Sequence, residues 1–152
     1  MKHKINISLL ISTLFGLGHF SRFPGTIASF VTLPIFWSLS IYISHSNLII
    51  LFVILTILSF LIINLALKVI NEKDPGFIVL DEFIGQFTAL LFCNGTFSAY
   101  IVAFIIFRIF DILKPFPISF FDKLNNSFGV LMDDIIAGLF SGIIVYFLYD
   151  LN

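Results

Sequence analysis

The sequence predicts an all-α fold: a small polytopic bundle of membrane helices with its polar residues gathered at one end. Three observations carry that expectation. Hydrophobic residues make up 59% of the 152 and Phe alone occurs 21 times, with a mean hydropathy of +1.11. A soluble domain of this length could not hide so much apolar surface, so the surplus must face lipid. Charged residues are only 11%, and they fall in short islands between long uncharged runs. The length suits one domain, taken as residues 1–152. A net charge of −1 gives no footprint for nucleic acid. The single cysteine, Cys93, excludes a disulfide framework and a cysteine-based metal knuckle.

Each element follows from local pattern. Lys2 and Lys4 precede an apolar run from Ile5 to Phe15 that imitates a signal peptide. No small-residue cleavage site follows, and Gly16 and Gly18 interrupt the run, so a retained interfacial or packed helix is expected. Pro24 and Gly25 then break the chain, and Thr26 is expected to cap the next helix. Backbone N–H groups at such a start, beside Arg22, suit an anion, although an ordinary capped helix has the same pattern. Residues 27–44 form an uncharged run with Pro34 inside it, which a membrane helix tolerates. After a short loop at His45-Ser46-Asn47, residues 48–67 are the clearest span. The loop has no Lys or Arg, whereas Lys2, Lys4 and Arg22 precede the pair and Lys68 and Lys73 follow it. The loop is therefore expected outside and both ends in the cytoplasm.

Asn71 to Glu82 is a charged island with an Asp74-Pro75-Gly76 turn. Its adjacent acids Asp81 and Glu82 complement a helix dipole, and are equally what a hard cation such as Mg²⁺ needs. Residues 83–107 carry no charge. One continuous span would place Asp81 and Asp111 on opposite sides of the membrane. A break at Cys93-Asn94-Gly95-Thr96 instead gives a re-entrant or shallow hairpin whose arms, about 15 Å each, reach half of the ~30 Å apolar core. The Asn-Gly turn signal and the cytoplasmic preference of Lys114 and Lys123 favour the hairpin.

Arg108, Asp111 and Lys114 recur every three residues and would form one charged stripe on a helix that Pro115 ends and Pro117 stiffens beyond. Mutual pairing explains such a stripe as simply as function does. Residues 122–126 read as a polar loop. Asp133 and Asp134 then stand just ahead of a last span over 135–149, in which Gly138 and Gly142 permit close helix contact.

Three acidic sites, Asp81-Glu82, Asp111 and Asp133-Asp134, thus fall at the cytoplasmic end of membrane helices. Acids there are costly unless paired or metal-bound. With Arg108 and Lys114 beside them, they suit a phosphate on a membrane lipid, with metal-activated water as nucleophile. Other phosphatase chemistries lack their parts: Ala99 stands where a thiol phosphatase that used Cys93 needs an arginine, and His3, His19 and His45 are scattered. A Mg²⁺-dependent prenyl or alcohol phosphotransferase would want a D-x-x-x-D or D-D-x-x-D run, which is absent. A non-enzymatic transporter or channel subunit would want acids at mid-membrane.

Four segments carry a resemblance: Pro24-Gly25-Thr26 with Ser29, DPGFIVLDEFIG (Asp74 to Gly85), FRIFDILKPFPI (Phe107 to Ile118) and MDDIIAG (Met132 to Gly138). In this order and spacing they resemble the phosphatidylglycerophosphatase A family, with Ser21 and Ala28 standing where a proline and a glycine are expected. The resemblance implies a Mg²⁺-dependent, mainly helical enzyme of the bacterial inner membrane, its active site facing the cytoplasm. Such an enzyme converts phosphatidylglycerophosphate to phosphatidylglycerol. The expected catalytic set is Asp81, Glu82, Asp111, Asp133 and Asp134, with Asp81, Asp133 and Asp134 as metal ligands. Arg22, Gly25, Thr26, Arg108 and Lys114 are the expected phosphate contacts. Capping or a supporting place would also explain Glu82 and Asp134, and Asp111 is either a ligand or the group that orients Arg108 and Lys114.

Overall fold

The computed structural model describes residues 6–20, 22–70 and 75–149. Expectations that fall on Lys2, Lys4, Ser21, Lys73 and Asp74 lie outside the described residues. Among those described the chain is all helical: α1 (Ile7–Ser12), α2 (Pro24–Tyr42), α3 (His45–Ile70), α4 (Leu80–Leu90), α5 (Phe97–Leu113), α6 (Ile118–Asp122) and α7 (Ser127–Tyr149). By length and composition α2, α3 and α7 can each cross a membrane. Their apolar residues stay exposed on one flank, as at Ile50, Ile57, Leu65 and Phe147, which is the surface lipid would cover.

The shortest of the large helices is the centre. Nine of the 11 residues of α4 are buried, and α2, α3, α5 and α7 all pack on it. Beyond its acidic first turn only Gln86 and Thr88 are polar, and both are buried, as befits a helix enclosed by others. Its closest neighbour is α7, and glycine makes the approach possible. A Cβ on Gly138 would stand 2.1 Å from the Gly85 carbonyl oxygen, and one on Gly142 would stand 2.4 Å from the Phe92 ring. Any side chain there would push the two backbones apart. On the α2 side the core is aromatic: Phe36 meets Phe87 edge-on at 4.9 Å and Tyr100 at 6.0 Å.

The helix breaks fall for identifiable reasons. Gly95, at φ +84°, turns the chain between α4 and α5, and Thr96 caps α5 by accepting from the Ala99 N–H at 3.4 Å. The pair therefore folds back, and the start of α4 lies beside the end of α5. Lys114 ends α5 in the left-handed region at φ 43°, and Pro115 prevents continuation. At the other end of the chain, α1 is held to the start of α4 by the Val79 N–H, which donates to the Ser12 carbonyl at 2.9 Å. His19 stacks on Phe77 at 4.8 Å.

Four boundaries differ from the sequence expectation. Thr26 does not cap α2: Phe23 holds the cap position and Pro24 is the first helical residue, where its missing N–H and fixed φ cost nothing. His45-Ser46-Asn47 is the first turn of α3, so only Ile43 and Ser44 join it to α2. Asp122 ends a short helix rather than opening a loop. The final helix begins at Ser127, not at 135, because Asn126 caps it by accepting from the Gly129 N–H at 2.8 Å. Asp133 and Asp134 consequently sit inside a long helix and not ahead of a short one.

Candidate active site

Four helices converge on one polar cavity of about 330 Å³. The first turn of α4 supplies Asp81 and Glu82, and the second turn of α7 supplies Asp133 and Asp134. The end of α5 supplies Asp111 and Lys114, and α6 ends there on Asp122; Asn125 completes the polar lining. The adjacent acids on α4 and on α7 meet because Gly85 lets the helices touch: a Cβ on it would stand 2.7 Å from the Asp134 carbonyl oxygen. Asp81, Asp133 and Asp134 are each less than a tenth exposed.

One oxygen from each of Asp81, Glu82 and Asp134 lies within 4.8 Å of the other two. Glu82 Oε2 is fully enclosed and accepts no hydrogen bond from the protein. Three carboxylates so close in a buried place repel unless a cation or protons intervene. Hard divalent ions take such an oxygen set, so the residues fit Mg²⁺. This grouping differs from the expected ligands in one exchange. Glu82 joins it, and Asp133 is turned aside to accept from Lys114 Nζ at 2.7 Å. The spacing along α7 explains the exchange, since residues adjacent in a helix point about 100° apart.

The cations are held separately. Lys114 Nζ bridges Asp122 and Asp133, a reach that the left-handed turn at Lys114 permits. Burial lowers its pKa, but the two carboxylates outweigh burial and hold the ammonium above its ordinary range. Arg108 Nη1 pairs with Asp111 Oδ2 at 2.5 Å and donates to Ser29 Oγ on α2 at 3.5 Å, while its Nε is buried without a partner. Asp111 thus stands between Arg108 and the cavity, which it also lines. Burial pushes the Glu82 carboxyl up to about 7, and the Asp111 charge adds to the rise. A hydrogen bond with Asp81 and the Arg108 charge oppose it.

The expected Pro-Gly-Thr contacts sit differently. Gly25 packs under Glu82, where a Cβ would stand 2.1 Å from Oε1, so it makes room for that carboxylate. Arg22 is exposed and Thr26 half-buried, and neither lines the cavity. Sequence reasoning missed Asp122, Asn125 and Gln86. The first two are brought in by the turn after α5, which no helical spacing spans. Gln86, one turn beyond Glu82, is fully buried with neither side-chain end hydrogen-bonded. Its only signal was a lone amide in an apolar run.

The family model described as Phosphatidylglycerophosphatase A matches residues 10–149, which includes every residue of this cavity. The chain belongs to the phosphatidylglycerophosphatase A family. Two similar proteins carry that name. One from Haemophilus influenzae is 48% identical over 48% of this chain and 46% of its own, so that match spans about half of its length. One from Escherichia coli is 33% identical over 91% of this chain and 81% of its own. A Bacteroides thetaiotaomicron protein, 32% identical over 95% of both chains, carries provisionally the name of a phosphatidylinositol-3-phosphatase. No solved structure matches the chain.

Proposed function

We propose that this member of the phosphatidylglycerophosphatase A family hydrolyses the phosphomonoester of phosphatidylglycerophosphate, releasing phosphatidylglycerol and inorganic phosphate. The observation that carries the reading is the cluster of Asp81, Glu82 and Asp134 beside the separately anchored cations Arg108 and Lys114. Family membership and the names of two relatives support the substrate. Asp81, Glu82 and Asp134 would hold Mg²⁺, which when bound supplies charge neutralisation and an acidified water.

The chain's own residues do the rest. Arg108, fixed by Asp111 and Ser29, would supply positive charge to a phosphoryl oxygen from behind Asp111. Lys114 donates to a second oxygen and stays charged because Asp122 and Asp133 face it. Asp133 is the carboxylate placed to take a proton from the attacking water, since Lys114 holds it at the cavity edge. A preorganised donor such as Lys114 is worth about 10²–10³ in rate when aimed at developing charge.

The protein sits in the bacterial inner membrane, on this reading, with the cavity toward the cytoplasm. Arg22, Lys68, Lys114 and Lys123 all belong to the cavity end, whereas the α2–α3 loop has no Lys or Arg. The hairpin of α4 and α5 enters from that side without crossing. The reaction is tested by phosphate release from phosphatidylglycerophosphate by purified protein in detergent, with Mg²⁺ and with EDTA, and with phosphatidylinositol 3-phosphate in parallel. Metal-dependent release from the first lipid, lost in Asp81→Asn and Asp134→Asn, is the expected result. Release that survives EDTA and both substitutions would remove the metal from the mechanism. Preference for the inositol lipid would replace the substrate.

A further inference from the structure

The α2–α5 seam does not end at Arg108. Ser29 and Arg108 close its polar end at 3.5 Å. Directly beyond, Phe30 meets Phe104 edge-on at 5.9 Å, and Phe30 is also the first wall of an apolar groove of about 480 Å³. Leu33 and Tyr100, both nearly buried, form its floor, while Trp37 and Phe97 stand exposed at its far end. The groove has no charged lining residue. From Ser29 to Trp37 the helical rise covers about 12 Å. One pair of helices therefore holds a cation against Asp111, a wall of the cavity, and forms a hydrocarbon trough running on from it toward the membrane interior.

We propose that this α2–α5 groove binds one acyl chain of the lipid substrate, so that the site selects by chain as well as by headgroup. The inference rests on the phosphatase reading above, since it is the phosphate beside Arg108 that fixes where the chain departs. A second groove of similar size, between His45, Phe52, Phe92 and Tyr146, does not serve as well. The α4 and α7 backbones touch at Gly85 and Gly138 between it and the cavity, leaving no path for a chain. The α2–α5 seam has a continuous polar-to-apolar course instead, and its volume falls within the usual range for a ligand site, about 300–1,000 Å³.

Two measurements test the groove. Phosphate release is compared on phosphatidylglycerophosphate with sixteen-carbon and with six-carbon chains, for the unsubstituted protein, Ile101→Trp, which fills the groove, and Trp37→Ala, which removes an exposed wall. The expected result is a KM for the long-chain lipid raised about tenfold in Ile101→Trp with little change for the short-chain lipid. Trp37→Ala, which leaves the core intact, should narrow the preference for long chains. An unchanged long-to-short ratio in both variants overturns the groove. The second measurement needs no catalysis. Trp37 is the chain's one tryptophan, so its fluorescence reports the groove directly. Phosphatidylglycerol with brominated chains should quench it more than brominated phosphatidylcholine at equal mole fraction, and unbrominated phosphatidylglycerophosphate should reverse the difference. Equal quenching by both lipids overturns the proposal. Selective quenching without phosphate release keeps the groove and removes the reaction; release without chain preference or selective quenching does the reverse.

Discussion

The two halves of the α4–α7 contact make opposite use of the same geometry. At the cavity end Asp81, Glu82, Asp133 and Asp134 bring carboxylates together where burial makes each one expensive. One turn further on, Gly85, Gly138 and Gly142 bring bare backbone together, and nothing charged remains. The glycine half needs no ligand, because close backbone approach is favourable in itself. The acidic half is left with charge that only a guest can balance. The glycine half thus holds the acidic half in place: the contact that brings Gly85 to Asp134 is what sets the carboxylate spacing.

The two halves come apart most clearly when charge is removed from one and volume is added to the other. Asp81→Asn or Asp134→Asn keeps side-chain size and removes a proposed metal ligand. Activity is expected to fall about 10³-fold or more, with the thermal midpoint in EDTA unchanged or raised because repulsion is relieved. A lowered midpoint in EDTA would mean that the acids stabilise the fold themselves. Gly138→Ala is the mirror image. Its Cβ meets backbone, not a flexible side chain, so destabilisation of about 1–3 kcal/mol is expected, read by denaturation in micelles. Activity per folded molecule should drop as well, since the α4 acids move with the backbone. Full activity in a destabilised Gly138→Ala would separate the two halves and refute their coupling.

A smaller effect belongs to Asp122. It is partly exposed and shares Lys114 with the more buried Asp133. Exposed ion pairs are worth about 0.2–1 kcal/mol, so Asp122→Asn should raise KM by no more than about fivefold and leave kcat nearly intact. A loss as large as that of Asp81→Asn would place Asp122 in the chemistry and not beside it.

Much of this was legible in the sequence. The membrane class, the three long helices and the break at Asn94-Gly95 follow from hydropathy and turn residues, which act locally. The five expected acids also meet as one cavity, because each stands at or near a helix end that the break brings together. What escaped needed three-dimensional register. Glu82 and not Asp133 closes the carboxylate cluster because the direction of a helical side chain depends on how α4 and α7 are rotated, which spacing within either helix does not set. Asp122 joins Lys114 across a turn with no periodicity. Gly25 read as a phosphate contact because helix starts bind anions, but the deciding fact is the side chain of Glu82 packed against it. The start of α7 escaped because two acids read as the edge of the membrane, when they lie within a helix beside a polar cavity.

Dependence on pH separates Glu82 from Lys114, because the two answer it in the same sense but in different windows. The buried Glu82 carboxyl rises to about 7 from an ordinary 4.5. Between those values the folded protein keeps a proton that the unfolded chain releases, so this group's contribution to stability is present at low pH and lost as pH rises through that window. In EDTA the thermal midpoint should therefore decline from about pH 5 to pH 7. A bound cation must displace the same proton, so stabilisation by Mg²⁺ should grow over that range. Glu82→Gln should flatten both curves. Lys114 is held above its ordinary range, so its contribution is fully present below pH 10.5 and lost only above it; any change that Lys114→Met makes between pH 5 and pH 7 reports the carboxylates it faces, not the lysine's own titration. A slope that survives Glu82→Gln and vanishes in Lys114→Met would move the titrating centre from the acidic cluster to the cation and its partners, and would undo the assignment of Glu82 to the metal.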